Sequence, residues 1–117
     1  MAFKATHRLA RISPRKVRPL TDLVRGKLAD EALDILRYQP HRGARLLEDV
    51  IKSAIGNSQD SDQNEGRTAN ERALFVAEAR VDGGPIIKRF RPRARGSAFP
   101  ILKRTCHIHV TLEELMD

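Results

Sequence analysis

Tryptophan is missing from this chain, tyrosine and cysteine occur once each, and no run of about 18 apolar residues is present. Each absence removes a class of protein. Cys106 by itself can form no internal disulfide and offers no thiolate cluster to zinc, so redox and metal-finger chemistry fall away. Without a long apolar run no helix is expected to span a membrane, and the opening Met1-Ala2-Phe3-Lys4 lacks the apolar stretch of a signal peptide. The expectation is a protein that stays in the cytoplasm where it is made. No phosphate-binding glycine loop of the Walker type occurs, and with four Phe and no Trp the core must be built from Leu, Ile, Val and Ala. A chain of 117 residues has room for one domain, burying roughly 65% of its unfolded surface. That composition suits small helices packed on a sheet.

Acidic residues are also missing from two long stretches. Residues 1–21 carry six bases and no acid, and residues 83–112 carry seven bases and no acid, whereas residues 22–82 have a net charge of −3 and the C-terminal tail another −3. The whole has a net charge of +7 and a pI near 10.3. Like-charge runs repel themselves in a compact state, so two acid-free segments point to a polyanion outside the protein.

Phe3, Ala5, His7 and Leu9 alternate with polar residues, which predicts a half-buried strand. Ser13-Pro14 supplies an N-cap and a proline suited to the first helical position, predicting a helix to Gly26 with Val17, Leu20 and Val24 inward and a kink at Pro19. A second helix is expected over 29–37, ended by Pro40, and a third from near His41 to Ser58, with Leu47, Ile51, Ala54 and Ile55 on one stripe and Arg42, Arg45 and Lys52 off it. Residues 57–72 are almost wholly polar and read as an exposed connection. Phe75, Ala77, Ala79 and Val81 predict one face of a strand, and Leu102, Cys106, Ile108, Val110 and Leu112 the face of another. These two strands would pair, yet the link from Gly83 to Pro100 holds three prolines and three glycines and far exceeds a hairpin loop. Such an excursion is either disordered alone or ordered by a partner.

Within that arm Arg89, Arg91, Arg93 and Arg95 recur at every second residue, so an extended chain projects their guanidinium groups together. Each planar guanidinium can hold two phosphate oxygens or stack on a base. Phe90 and Phe99 could stack on unpaired bases or, equally well, on each other across the arm. Arg15, Lys16 and Arg18 crowd a helix start, where the macrodipole disfavours cations and an external phosphate would reverse the penalty. His107 and His109 share a strand face but lack a third ligand, Cys106 falls on the apolar face, and Asp30-Glu31 and Glu48-Asp49 read as solvated helix charge. No metal, cofactor or catalytic constellation is expected. A DNA-binding protein and an RNA-processing enzyme are the competing readings.

The runs Lys4-Ala5-Thr6-His7-Arg8, Arg11-Ile12-Ser13-Pro14-Arg15-Lys16-Val17-Arg18 and Asp22-Leu23-Val24-Arg25-Gly26-Lys27 resemble the bacterial large-subunit ribosomal protein family numbered twenty-two. So do Lys88-Arg89-Phe90-Arg91-Pro92-Arg93-Ala94-Arg95-Gly96 and Lys103-Arg104-Thr105-Cys106-His107-Ile108, and the resemblance covers nearly the whole chain. It implies an α+β fold of three helices on a three-stranded antiparallel sheet, with a protruding β-hairpin arm at about 83–101 that turns near 94–97. It implies a structural, non-enzymatic constituent of the large subunit that binds several domains of its ribosomal RNA, meets neighbouring ribosomal proteins and aids assembly. On this reading the RNA-binding residues are Lys4, His7, Arg8, Arg11, Ser13, Arg15, Lys16, Arg18, Arg25, Lys27, Lys88, Arg89, Arg91, Arg93, Arg95, Lys103, Arg104 and His107. The arm lining the nascent-peptide exit tunnel would comprise Ile87, Lys88, Arg89, Phe90, Arg91, Arg93, Ala94, Arg95 and Gly96, with Ile87, Lys88 and Arg89 where macrolide resistance would be sought. Departures from the family pattern are Pro19, Ser97, Phe99, Pro100 and a longer polar connection.

Overall fold

A computed structural model describes residues 2–60 and 69–115. The alternation of Phe3 and Ala5 with Lys4 and Thr6 becomes strand β1 (Ala2–Ala10), which buries Phe3 and Ala5. The pattern breaks before its end. A bulge between His7 and Ala10 turns Leu9 outward in a left-handed conformation (φ 57°) and brings Ala10 inward opposite Cys106, so Leu9 leaves the face where simple alternation would put it. Helix α1 (Pro14–Val24) starts at Pro14, where the missing N–H costs nothing, and buries Val17, Leu20, Thr21 and Val24. Ser13 is its N-cap residue by backbone position, but its hydroxyl makes no capping bond. The helix continues as one element through Pro19 and ends at Val24, with Gly26 two residues beyond at φ +83°.

Helices α2 (Ala29–Arg37) and α3 (Arg42–Ser58) follow the predicted spans to within a residue. Arg45 fastens them together, donating to the carbonyls of Leu36, Arg37 and Gln39 at the end of α2, where helix carbonyls lack their intrahelical partners. The polar connection is less exposed at its ends than its composition suggests. Ser58 and Ala69 are buried, the Ala69 N–H donates to the Ser58 carbonyl (3.2 Å), and the Gln59 amide donates to the Ala69 carbonyl (2.7 Å). Residues 61–68 of that expected connection lie outside the described residues.

Strands β2 (Leu74–Pro92) and β3 (Ala98–Glu114) complete an antiparallel sheet of order β1-β3-β2. As the middle strand, β3 buries Cys106, Ile108, Val110 and Leu112, as its alternation predicts. Leu102 does not join them: it stands on the arm, 44% exposed. In β2 a bulge between Val76 and Glu78 shifts the register, so Leu74 and Val76 point inward with Ala79 and Val81, while Phe75 and Ala77, expected on the buried face, are only half-buried. Three helices thus cover one face of a three-stranded sheet, with Leu36, Leu47 and Ile51 meeting Leu74, Ile108 and Leu112 in the core.

The long excursion, whose composition alone left its order open and which the resemblance implies is a β-hairpin arm, is a paired β-ribbon. β2 and β3 stay paired beyond the core, from Ile86 opposite Arg104 out to Pro92 opposite Ala98. The tip closes over 93–97, where the Arg93 N–H donates to the Ser97 carbonyl (2.7 Å) and Arg95 and Gly96 adopt positive φ. This ribbon stretches the molecule to 67 Å against 29 and 16 Å in the other directions. At its root a second bulge, between Gly83 and Ile86, lets the Thr105 hydroxyl donate to the Pro85 carbonyl (2.7 Å).

Candidate nucleic-acid interface

The two acid-free stretches of sequence meet in space. A groove of about 1400 Å³ lies between the start of α1, the α2–α3 connection and the root of the arm. Its cations are Arg11, Arg15, Lys16, Arg42, Arg89, Lys103 and Arg104, and among the described residues no acidic side chain lines it. Ile12, Leu20, Leu23, Ile87 and Leu102 provide apolar surface between the charges. A concave, uniformly cationic wall concentrates field on whatever polyanion enters, because the low-dielectric protein behind it cannot screen the charges. The apolar patches add surface against which bases and sugars can pack.

Arg42 belongs to the groove although it comes from the net-acidic middle of the chain; its guanidinium donates to the Arg11 carbonyl (2.8 Å) and holds the start of α3 beside the approach to α1. His41 and Gln39 join it there. The only sequence signal for Arg42 was its place off the apolar stripe, a property it shares with Arg45 and Lys52, which face elsewhere.

Other expected RNA ligands have work inside the protein. Arg18 donates through Nε and Nη2 to the Val81 carbonyl (3.3 and 3.2 Å), and Arg25 donates to the Ala79 carbonyl (2.6 Å) while pairing with Asp22 (2.7 Å). The Gly26 N–H donates to the Val76 carbonyl (2.9 Å), and the Val76 N–H donates to Lys27 (2.8 Å). Together these bonds cover the free edge of β2 and keep it from pairing with another chain. The Arg18 charge also favours ionisation of Cys106 slightly, but burial dominates and pushes that thiol above its ordinary value.

On the sheet face away from the helices, Nε2 of His109 meets Asp82 at 3.0 Å and its Nδ1 meets the Thr6 hydroxyl at 3.1 Å, while Asp82 also approaches Arg80 (3.5 Å). The Leu9 N–H donates to Nδ1 of His107 (3.0 Å), so only its Nε2 remains for an outside partner. Among the described residues no group of three metal-ligating side chains forms. Lys4, Arg8 and Lys27 are exposed, and His7 is half-buried at the edge of the sheet.

Along the arm, Lys88, Arg89, Arg91, Arg93 and Arg95 are all exposed, as are Ala94 and Gly96 at the tip. The left-handed turn at Arg95 interrupts the alternating ladder beyond Arg93. Phe90 lies opposite Pro100 and Phe99 opposite Arg91, which puts the two phenylalanines on opposite faces of the ribbon. They do not pack on each other, and they are 70% and 54% exposed.

Comparison with known proteins decides between the readings this surface allows. The family described as ribosomal protein L22p/L17e matches residues 5–113. The large ribosomal subunit protein uL22 of Rhodopirellula baltica is 60% identical over 113 residues, covering 97% of this chain and 95% of that protein. The chain belongs to the ribosomal protein L22p/L17e family. The uL22 proteins of Caldicellulosiruptor saccharolyticus (51% identical, 94% of this chain and 86% of that protein) and Finegoldia magna (46%, 97% of each) agree. As an L22p/L17e protein it is a structural constituent of the large subunit of the cytoplasmic ribosome and not an enzyme. Among the described residues no helix is long and apolar enough to cross a membrane.

Proposed function

We propose that this chain binds the large-subunit ribosomal RNA through the basic groove and the arm, and that its role in the particle is charge neutralisation. The observation that carries this reading is the convergence of Arg11, Arg15 and Lys16 with Arg89, Lys103 and Arg104 around one groove free of acid. Cations on two elements far apart in sequence let RNA segments from different domains approach one another, which is how the protein would aid assembly. Residues 1–117 act as one domain from which the arm, about 83–101, extends. Its exposed strands and tip, from Ile87 to Gly96, reach the wall of the nascent-peptide exit tunnel, beside the passing peptide, while the body meets neighbouring large-subunit proteins. An unbacked two-stranded ribbon of this length is marginal in water, and RNA packed around it supplies the missing support.

Binding of the full chain to large-subunit ribosomal RNA tests the reading. For about six phosphate contacts, raising salt from about 50 to about 200 mM weakens binding on the order of a thousandfold. Folded ribosomal RNA should outcompete duplex DNA of equal length, because irregular RNA offers unpaired bases to the arm. Affinity indifferent to salt, or equal for the duplex, contradicts it.

A further inference from the structure

We propose that the arm is one-sided: RNA seats on the face carrying Arg89 and Arg91, and Phe99 stacks there on an unpaired base beside the Arg91 guanidinium. This rests on the RNA-binding reading and adds which face of the ribbon does the binding. In an antiparallel ribbon, directly opposed residues share a face. The register therefore sorts the arm into two surfaces. One carries Ile87 opposite Lys103, Arg89 opposite Ile101, and Arg91 opposite Phe99. The other carries Lys88 opposite Leu102, Phe90 opposite Pro100, and Pro92 opposite Ala98.

The two faces differ chemically where it matters. Both strand arginines of the arm are on the first, each beside an apolar or aromatic neighbour across the ribbon, and Ile87, Arg89 and Lys103 also line the basic groove at its root. From Phe90 outward the second face holds no charge. Leu102 and Arg104, opposite Lys88 and Ile86, bring the second face to the groove as well, but beyond Lys88 a polyanion following the ribbon outward meets cations on the first face only. Phe99 is 54% exposed with a guanidinium as its cross-strand neighbour, so ring and guanidinium together offer a broad flat surface, the requirement for stacking a base while its phosphate is held. Phe90 is more exposed, at 70%, but its cross-strand neighbour is a proline.

The test compares the two phenylalanines in full-length protein, with a transcript of large-subunit ribosomal RNA as the probe. Phe99→Leu should weaken binding about five- to a hundredfold and Phe99→Tyr by less than about twofold, since tyrosine restores the ring. Phe90→Leu should stay within about twofold. Arg91→Ala should lower the salt slope by about one, and Arg91→Lys should restore it. Equal losses for Phe90→Leu and Phe99→Leu overturn the one-sided arm. So does the absence of any loss at Phe99 or Arg91 while Arg15→Ala and Lys16→Ala weaken binding, a result that leaves the groove reading standing. If the groove variants also bind unchanged, both readings fall.

Discussion

At the scale of single residues, the arginines of this protein divide by what their guanidinium groups already hold. Arg25 spends its donors on Asp22 and the Ala79 carbonyl and Arg18 on the Val81 carbonyl, whereas Arg15 lines the groove without a hydrogen-bond or ion-pair partner among the described residues. The sequence cannot separate them, because all three fall within or beside the same basic segment and the distinguishing carbonyls come from a strand more than 50 residues away. The distinction has a measurable outcome. Arg25→Ala should lower stability by about 1 kcal/mol, less than a buried charged bond contributes because half the side chain is in water, and leave the salt slope of RNA binding unchanged. Arg15→Ala should do the reverse, lowering the slope by about one with stability within about 0.5 kcal/mol of wild type. Denaturant melts and salt titrations of both variants check the pair; a swapped pattern contradicts the division.

At the scale of elements, hydrophobic periodicity located the three α-helices and the cores of the three strands, and it failed where a strand bulges. Leu9, Phe75 and Ala77 were expected inward because a period of two assumes that every residue has one partner across the sheet. One extra residue resets the alternation, and Ala10, Leu74 and Val76 fill the core instead. Nothing local announces these bulges, since the residue at φ 57° is a leucine and not the glycine that such a backbone favours. The bulge at the arm's root did leave a trace in Gly83-Gly84. A Cβ on Gly84 would lie 2.5 Å from the Thr105 hydroxyl, which could yield only by giving up its bond to Pro85, and 3.3 Å from the Thr105 backbone. Gly84→Ala should therefore cost about 1–3 kcal/mol, lowering Tm by about 4–12 °C. Gly83→Ala, whose Cβ meets nothing within 4 Å, should shift Tm far less, and equal shifts for the two would remove the steric argument.

At the scale of the whole molecule, charge segregation in the sequence foretold two basic surfaces but not that they form one. Their union depends on α1 starting beside the root of a hairpin that begins some 70 residues later, a juxtaposition that only the sheet order and the packing of α1 against β2 create. The composition of the arm, rich in Gly and Pro, concealed the continuous pairing that the register reveals. None of the buried core residues lies between Asp82 and Arg104, so the body has no need of the arm to fold. Deleting 86–99 should leave helix content by circular dichroism and cooperative melting intact while weakening RNA binding; loss of the helical signal would show that the arm is part of the core after all.

The central claim is that both basic stretches lie against RNA in the assembled particle. Ultraviolet crosslinking of intact large subunits, with crosslinked peptides of this chain identified by mass, reads that out directly. The account predicts RNA adducts within 11–18 and within 88–104, and none on the acidic outer side of α2 around Asp30 and Asp34. Adducts confined to α2, with both basic segments bare, would contradict it.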